Sequence, residues 1–354
     1  MGVVIVTGSN GLVGSYISKF LINKGFFVVG IDNDFRSYFF GSDGSTAQVG
    51  SNLESYSEKF ILRNIDIRNI EGLEIVFKEF SKDIYAVVHC AAQPSHDWAA
   101  KDPIIDFTVN ANGTLNLLEL TRKYCAGARF IFTSTNKVYG DQPNKIKYVE
   151  GETRWLPENI ITRTNGFDES LSIDNSLHSL FGVSKASADL LVQEYGRYFG
   201  MNTAVFRGGC LTGPDHAGVA LHGFLSYLVK CFVQGKTYSV FGYKGKQVRD
   251  NIHVSDLAQA FWLYMQAPTR GAVFNIGGGK SSNISMLEAI NLISEKSGKK
   301  LQFEVKPNAR IGDHIWYVSN TSRFETAYPE WRITVSIEEI VEEMIFQENM
   351  KVKL

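Results

Sequence analysis

The sequence has few cysteines, no cluster of basic residues and no long apolar run. The 36 Lys and Arg and 37 Asp and Glu give a formal net charge of −1, and their even spread argues against nucleic acid as a partner. No apolar run reaches the roughly 20 residues of a membrane-spanning helix, and the first residues lack the pattern of a signal peptide. We expect a cytoplasmic protein with no membrane partner. The cysteines form no CxxC pair and no metal-ligand spacing, so we expect free thiols and no metal: Cys90, Cys125, Cys210 and Cys231.

The first half of the chain alternates strand-like and helical patterns. Short apolar runs predict strands at Val3–Val6, Phe27–Ile31, Phe60–Ile65, Ala86–Cys90 and Arg129–Thr133. Between them, apolar residues at helical spacing predict helices at Gly14–Lys24, Leu73–Phe80 and Val109–Tyr124. Strands separated by helices predict a doubly wound, parallel α/β sheet. The segment Phe35–Ser57 interrupts the alternation, and its Gly, Ser and aromatic residues predict a long functional or mobile loop.

The first strand runs into a glycine-rich loop with the spacing GxxGxxG. Gly8 permits the tight turn, Gly11 lets a pyrophosphate approach the backbone, and Gly14 lets the helix pack closely on the strand. Phosphates in this loop lie at the positive end of the following helix. The rest of the predicted phosphate loop is Ser9, Asn10, Leu12 and Val13.

Acidic residues at the ends of the second and third strands complete a dinucleotide-binding pattern. Asp32, with Asn33 beside it, stands where a carboxylate can accept both ribose hydroxyls of an adenosine. This carboxylate would repel a 2′-phosphate, which favours NAD over NADP. Arg36 argues in the other direction, because a nearby arginine can bind the 2′-phosphate of NADP. Asp66 and Ile67 fit a contact with the adenine edge. The sequence predicts NAD as the cofactor.

Five segments together resemble the extended short-chain dehydrogenase/reductases, and within them the nucleotide-sugar epimerases and dehydratases: Gly8–Gly14, His89–Gln93, Asn110–Thr114, Thr133–Gly140 and Arg249–Asp256. The resemblance covers nearly the whole chain, and TSTNKVYGD, HSLFGVSK and VFGYKGKQVRDNIH are most similar to the CDP-paratose (CDP-tyvelose) 2-epimerases. It implies a Rossmann domain over 1–205, to which segments around 240–275 return, and a smaller nucleotide-sugar-binding α/β lobe over 206–354. It also implies a homodimer or dimer of dimers, and further cofactor contacts from Ala91, Ala92, Gln93, Asn110, Thr133 and Lys185.

The resemblance implies a catalytic group around the nicotinamide formed by Thr135, Asn136 and Lys185, together with a tyrosine. In such enzymes the lysine holds the nicotinamide ribose and its charge lowers the pKa of the tyrosine. The tyrosine then accepts the proton of the sugar hydroxyl as a general base. Four residues before Lys185, the tyrosine position holds Phe181, which has no ionisable group.

Two explanations of Phe181 stay open at this stage. One is a change from tyrosine introduced to trap a substrate, and the other is natural divergence in which another group serves as the base. We favour divergence, because the surrounding LHSLFGVSK has the pattern of a coherent packed segment. The candidate bases are His178, Lys137, Tyr139, Cys210 and Lys185 itself, with Thr135 as a relay, and Asp168 ranks behind Lys185.

A nucleotide sugar requires cations for its diphosphate and a flat apolar surface for its base. Arg249 and Arg310 match the diphosphate-binding arginines of the family, whose planar guanidinium groups suit paired phosphate oxygens. Phe241 matches the residue that lies against the base. The other implied substrate contacts are Gln93, Ser95, His96, Asn136, Cys210, His222 and Phe224.

These observations predict an NAD-dependent isomerase that acts on a CDP- or UDP-hexose. The narrower resemblance implies epimerisation at C2 of a sugar such as CDP-paratose, through a transient ketone and with hydride returned from the same cofactor. Asn136 and Lys137 occupy the place of the Asp-Glu pair of the dehydratases, which argues against 4,6-dehydration, although another dehydratase or reductase activity stays an alternative. A non-catalytic NAD-binding protein is the third possibility, and Phe181 is its only support.

Overall fold

The computed structural model describes residues 2–213, 216, 218–219 and 223–353. Its contacts divide the chain into two compact units, each assembled from three separate stretches. The first unit comprises Met1–Val138, Leu180–Arg207 and Leu257–Phe274. The second comprises Tyr139–Ser179, Gly208–Asp256 and Asn275–Leu354. The domain limits expected from the sequence, 1–205 and 206–354, stay a prediction.

The strands of the described residues are β1 (Val3–Thr7), β2 (Phe27–Ile31), β3 (Phe60–Arg63), β4 (Ile84–His89), β5 (Arg129–Thr135), β6 (Tyr148–Glu150), β7 (Trp155–Pro157), β8 (Asn202–Gly208), β9 (Cys210–Thr212), β10 (Tyr238–Phe241), β11 (Val248–His253), β12 (Ala272–Ile276), β13 (Asn283–Ser285), β14 (Phe303–Lys306) and β15 (Trp316–Tyr317). The α-helices are α1 (Leu12–Asn23), α2 (Phe35–Phe40), α3 (Ala47–Tyr56), α4 (Ile70–Phe80), α5 (His96–Lys101), α6 (Pro103–Phe107), α7 (Gly113–Tyr124), α8 (Ile160–Asn165), α9 (Ser179–Phe199), α10 (Phe224–Gln234), α11 (Val254–Gln266), α12 (Met286–Ser297), α13 (Ser322–Ala327) and α14 (Ile337–Lys353). A π-helical turn, Thr108–Asn112, leads into α7. Among the described residues, no helix combines the length and the apolar character that crossing a bilayer requires.

A seven-stranded sheet with the order β12-β8-β5-β4-β1-β2-β3 organises the first unit. The pairs β1–β2, β1–β4, β2–β3 and β4–β5 are parallel. All five residues of β1 are buried, as expected for a strand covered on both faces. The predicted doubly wound α/β fold is confirmed. Its strand order reverses beside β1, so β1 and β4 end at the crevice where such sheets bind ligands.

The expectation of a loop over Phe35–Ser57 is wrong, because α2 and α3 occupy most of that segment. Phe39 is buried and packs edge-to-face on Trp98, with ring centroids 5.4 Å apart. The Asp34 carboxylate accepts hydrogen bonds from Thr46 N and Ser45 Oγ, both at 2.7 Å. Long-range packing and this carboxylate therefore fix a segment whose composition alone indicates irregular structure.

The second unit has its own core and its own smaller sheet. Helices α10, α12 and α14 bury an apolar cluster that includes Leu228, Ile293 and Val341. Strand β11 is central to the sheet, since it pairs with β9 and β15 in parallel and with β13 in antiparallel. Ser285 caps α12 in a reciprocal capping box with Glu288, an arrangement that satisfies two N–H groups at the helix start.

Candidate active site

The glycine loop after β1 has the shape that a dinucleotide requires. Gly8 has φ +66°, and a Cβ there would lie 2.7 Å from Ala91 N, next to Ala92 in the segment after β4. A Cβ on Gly14 would overlap Gly8 O. Gly11 is different, because its Cβ would meet only Gly8 O, at 3.3 Å. The first and last glycines are therefore required by packing, and the middle one leaves its open side to a ligand at the start of α1, where helix N–H groups lack partners within the helix.

This difference predicts separate effects for two alanine variants. We expect Gly11→Ala to fold like the wild type but to bind NAD at least ~10-fold more weakly, because the methyl group obstructs the pyrophosphate. Gly14→Ala should lower stability itself, because its methyl group overlaps backbone. Calorimetric titration with NAD and thermal unfolding measure the two effects. Gly127→Ala, with no atom near its Cβ, is the neutral control, and unchanged NAD affinity in Gly11→Ala would contradict the assignment.

Asp32 keeps acceptor capacity for a ribose. Its carboxylate accepts hydrogen bonds from Asn10 N at 3.0 Å and Asp34 N at 2.8 Å, which leaves lone pairs for hydroxyl donors. Burial raises the pKa of Asp32, opposed by these backbone hydrogen bonds. Arg36, the residue that could bind the 2′-phosphate of NADP, donates from Nε to Gly44 O and lies over the Phe40 ring. The geometry fits an adenosine ribose with free hydroxyls.

The Asp66 carboxylate already accepts several hydrogen bonds within the protein, which the sequence does not indicate. Its carboxylate accepts Arg68 N, Nε and Nη2, at 2.7 to 3.0 Å, and also Asn33 Nδ2 at 3.2 Å. These donors use the four acceptor positions of a carboxylate, so a contact with an adenine amino group requires one to be released. Ile67 is buried and lies where a Cβ on Gly113 would touch it, so its side chain packs α7 against the loop after β3.

The predicted catalytic residues lie at the end of β5 and on α9. Lys185 Nζ donates to Thr133 O at 2.9 Å and lies 4.1 Å from the Phe132 ring centroid. Burial lowers the pKa of Lys185 to about 8, opposed by the charges of Asp189, Cys90 and Asp106. Thr135 Oγ1 accepts a hydrogen bond from Lys137 N at 3.3 Å, which leaves its own hydrogen for a substrate oxygen.

Phe181 precedes Lys185 by one turn on the same face of α9. Its side chain is buried and meets the imidazole of His96 edge-to-face, with ring centroids 5.0 Å apart. Asn136 is buried in the short turn that follows β5. Thr135, Lys185 and Phe181 therefore all belong to the first unit, and His96, a predicted sugar contact, lies against Phe181.

A buried polar network ties the loop after β4 to the start of α9. Gln93 Nε2 donates to Ser95 O at 2.8 Å and to Asp106 Oδ1 at 2.7 Å, while its Oε1 accepts Ser95 N. Asn110 Nδ2 donates to Asp106 at 3.1 Å and to Ser184 Oγ at 3.0 Å. We expected Gln93, Ser95 and Asn110 to contact ligands. Their side-chain polar groups instead make hydrogen bonds within the protein, which hold the loop after β4 and the start of α9 in place. Asp106 escaped sequence analysis, and its one signal is a carboxylate within the apolar stretch PIIDF.

The predicted diphosphate and base contacts lie together in the second unit. The Arg310 guanidinium lies 4.5 Å from the Phe241 ring centroid. Arg249 Nη2 donates to Asp313 Oδ1 and to His314 O, and Nη1 donates to Val248 O. Asp313 N also donates to Arg310 O at 3.1 Å. Arg249 therefore already has an acidic partner with which a phosphate must compete.

Two of the remaining predicted substrate contacts, Phe224 and Cys210, belong to the described residues. Phe224 begins α10 and packs on the core of the second unit, Cys210 lies in β9 opposite Asn251 of β11, and His222 lies outside the described residues. Two candidate bases serve the fold. Tyr139 OH donates to Asn275 Oδ1 at 2.7 Å, and His178 Nε2 donates to Ile173 O at 2.7 Å.

A parallel sheet with a glycine loop at the carboxyl end of its first strand, an acid after the second and a buried lysine beside the fifth defines a Rossmann-type dinucleotide-binding enzyme. The NAD dependent epimerase/dehydratase family matches residues 4–277. The chain belongs to this family. This confirms the predictions of the family and of NAD as the cofactor.

Individual relatives extend the similarity over more than nine-tenths of the chain. CDP-paratose 2-epimerase of Salmonella typhi is 31% identical over 96% of this chain and 97% of its own length. A dTDP-glucose 4,6-dehydratase of Escherichia coli is 28% identical over 93% of this chain and 97% of its own length. The crystal structure of UDP-glucuronic acid 4-epimerase from Bacillus cereus, in complex with UDP-glucuronic acid and NAD, superposes with a TM-score of 0.79 at 25% identity, over 99% of each chain. The chain is thus an enzyme of the nucleotide-sugar epimerase/dehydratase superfamily.

Proposed function

We propose that this enzyme epimerises a nucleotide sugar at C2 of its hexose, with a CDP-hexose such as CDP-paratose as substrate. The observation that carries the proposal is the buried Lys185, held by Thr133 O one turn from Phe181 and close to the end of β5 that bears Thr135. The 31% identity to CDP-paratose 2-epimerase over 96% of the chain supports the choice of nucleotide and carbon.

The residues of the first unit supply binding and orientation for this chemistry. NAD, when bound, supplies the hydride acceptor and donor. The glycine loop binds the pyrophosphate, Asp32 binds the adenosine ribose, and Lys185 binds the nicotinamide ribose through its N–H groups not used by Thr133 O. Thr135 donates its hydroxyl hydrogen to the reacting oxygen of the sugar. Arg249 and Arg310 of the second unit bind the diphosphate, and Phe241 lies against the base.

A dehydratase is the second candidate, because dehydratases are among the relatives. Dehydration needs an acid and a base to remove water after oxidation. Asn136 and Lys137 follow Thr135, and an amide cannot act as either group. Lys137 alone leaves the pair incomplete, so epimerisation is the better supported reaction.

Incubation of the purified protein with CDP-paratose or CDP-tyvelose deuterated at C2 tests the proposal. We expect the two 2-epimers to interconvert in ordinary water with the deuterium retained, because the same hydride leaves and returns, and with no net NADH absorbance. UDP-glucose and UDP-glucuronic acid test nucleotide and carbon specificity. A 6-deoxy-4-keto product containing solvent hydrogen would instead identify a dehydratase, and bound NAD without conversion of any sugar would identify a binding protein.

The expected homodimer is also a proposal. Helix α9 exposes apolar side chains that a second copy would cover: Leu180, Val183, Leu190, Tyr198 and Phe199.

A further inference from the structure

The proposed reaction needs a proton acceptor beside the sugar hydroxyl, and Phe181 cannot be that group. The imidazole that contacts the ring at the tyrosine position belongs to His96, the first residue of α5. The two rings meet edge-to-face at a centroid distance of 5.0 Å. His96 is partly exposed, whereas Phe181 is buried. Of the two rings in contact, the imidazole is therefore the more accessible one.

The backbone that carries His96 is held by the buried network described above. Gln93 binds both the N–H and the C=O of Ser95, the residue that precedes His96. Ser95 Oγ caps α5 by accepting a hydrogen bond from Trp98 N. Asp106 binds Gln93, and Asn110 connects Asp106 to Ser184, one residue before Lys185.

The five polar residues of this network, from Gln93 to Ser184, are all 1% exposed or less. A satisfied buried network of this kind rigidifies its surroundings. It connects Ser95 with Ser184, the residues that directly precede His96 and Lys185 in the chain. Any aromatic ring can make an edge-to-face contact, so the contact with Phe181 does not by itself require an imidazole at position 96.

We propose that His96 is the catalytic base, and that it has taken the place of the family's tyrosine. The inference rests on the proposed function, since it assigns the proton step of that reaction. Imidazole is the commonest general base of enzymes because it changes protonation state near neutral pH. The Phe181 ring then supports the imidazole through their edge-to-face contact.

The step balances with the groups named. The sugar hydroxyl loses its proton to an imidazole nitrogen of His96, its O–H electrons form the second bond of a C=O, and the carbon's hydride passes to NAD⁺. In the return direction the ketone carbon receives that hydride on its other face, and the ketone oxygen takes the proton back from His96. No further oxidant, reductant or co-reactant is consumed.

Other candidate bases fit this role less well. Lys185 Nζ donates to Thr133 O, and its positive charge serves the cofactor only while it is protonated. Tyr139 and His178 bind Asn275 and Ile173 within the fold of the second unit. His96 is the one imidazole that contacts the residue at the tyrosine position among the described residues.

The test compares His96→Phe, His96→Ala and the double variant His96→Ala/Phe181→Tyr, with Asp97→Asn as the control. Asp97 is the exposed neighbour of His96 on α5. The assay uses the nucleotide sugar that the wild type converts, and follows kcat together with the affinities for NAD and for that sugar. We expect both single His96 variants to lose at least about 100-fold in kcat while they bind NAD as the wild type does. The double variant should regain at least about tenfold over His96→Ala, because its second substitution restores an ionisable hydroxyl one helical turn from Lys185.

Three outcomes decide between the assignments. Loss in both single variants with recovery in the double variant supports His96 as the base. Wild-type kcat in His96→Phe, or loss without recovery on adding the tyrosine, overturns it and leaves the proposed function intact. If the wild type binds NAD but converts no nucleotide sugar, the proposed function fails and the proton step fails with it.

Discussion

Replacing Lys185 by Met is expected to reduce kcat/KM by about 10³-fold, because the variant loses the cation that orients the nicotinamide ribose and favours the charge changes of hydride transfer. Methionine keeps an unbranched side chain at this position but carries no charge. Steady-state kinetics with the nucleotide sugar measure the loss. Lys123→Met is the control, since Lys123 is 60% exposed in its pair with Glu74. Retention of more than a tenth of the wild-type value would contradict the role of Lys185.

The same variant should unfold less readily than the wild type near neutral pH. The pKa of Lys185 falls from 10.5 to about 8, which corresponds to about 3 kcal/mol at about 1.36 kcal/mol per unit. Because this pKa is lowered on folding, the unfolded chain binds the extra proton between about pH 8 and 10.5, and wild-type stability rises with pH across that window. The difference in unfolding free energy between Lys185→Met and the wild type should therefore shrink between about pH 8 and 10.5. Urea unfolding of both proteins at about pH 7 and about pH 10 measures this difference. Lower stability of the variant at both values would show that burial of the charge is not costly.

Replacing Asp189 by Ala is expected to cost about 3–5 kcal/mol of unfolding free energy, because it removes the buried carboxylate that pairs with the buried guanidinium of Arg207. Asp189 is 1% exposed and accepts Arg207 Nε at 3.0 Å and Nη2 at 2.9 Å. It also accepts Ser134 Oγ at 2.7 Å, so it joins β5 and β8 to α9. Chemical denaturation followed by circular dichroism measures the change.

Two further variants make this result specific. Asp189→Ala/Arg207→Met should recover most of the loss, because it removes both buried charges. Glu194→Ala, on the same helix but in a pair whose side chains are more than half exposed, should change stability by less than about 0.5 kcal/mol. A loss below about 1 kcal/mol in Asp189→Ala would show that water or rearrangement compensates Arg207.

The parallel sheet and the cofactor loop are predictable from the sequence because their signals are local. Strand β1 is five buried residues in a row, and the three glycines stand at positions where a Cβ would meet backbone atoms. The helices over Phe35–Ser57 escape prediction because Trp98 and the Asp34 carboxylate stabilise them. Tertiary contacts of this kind override a composition rich in Gly and Ser.

The site is less predictable than the fold. Thr135 and Lys185 follow from a motif, but the contact between His96 and Phe181 joins residues far apart in the chain and has no local signal. For Asp66 the sequence signal is present but incomplete. Its motif indicates a ligand contact, whereas in the structure the carboxylate binds Arg68, two residues later in the chain. A sequence pattern specifies which groups are available, and only the tertiary contacts show which of them are already engaged.

The order in which the sheet is completed has a consequence for biosynthesis. Strand β8 ends at Gly208, but its outer neighbour β12 begins only at Ala272. At a ribosomal rate of roughly 5–20 residues per second, the nascent chain spends several seconds with that hydrogen-bonding edge uncovered. Exposed edges recruit strands from other polypeptides. Premature termination before β12 should therefore yield products that depend on chaperones or enter inclusion bodies, even when the complete cofactor loop has been translated.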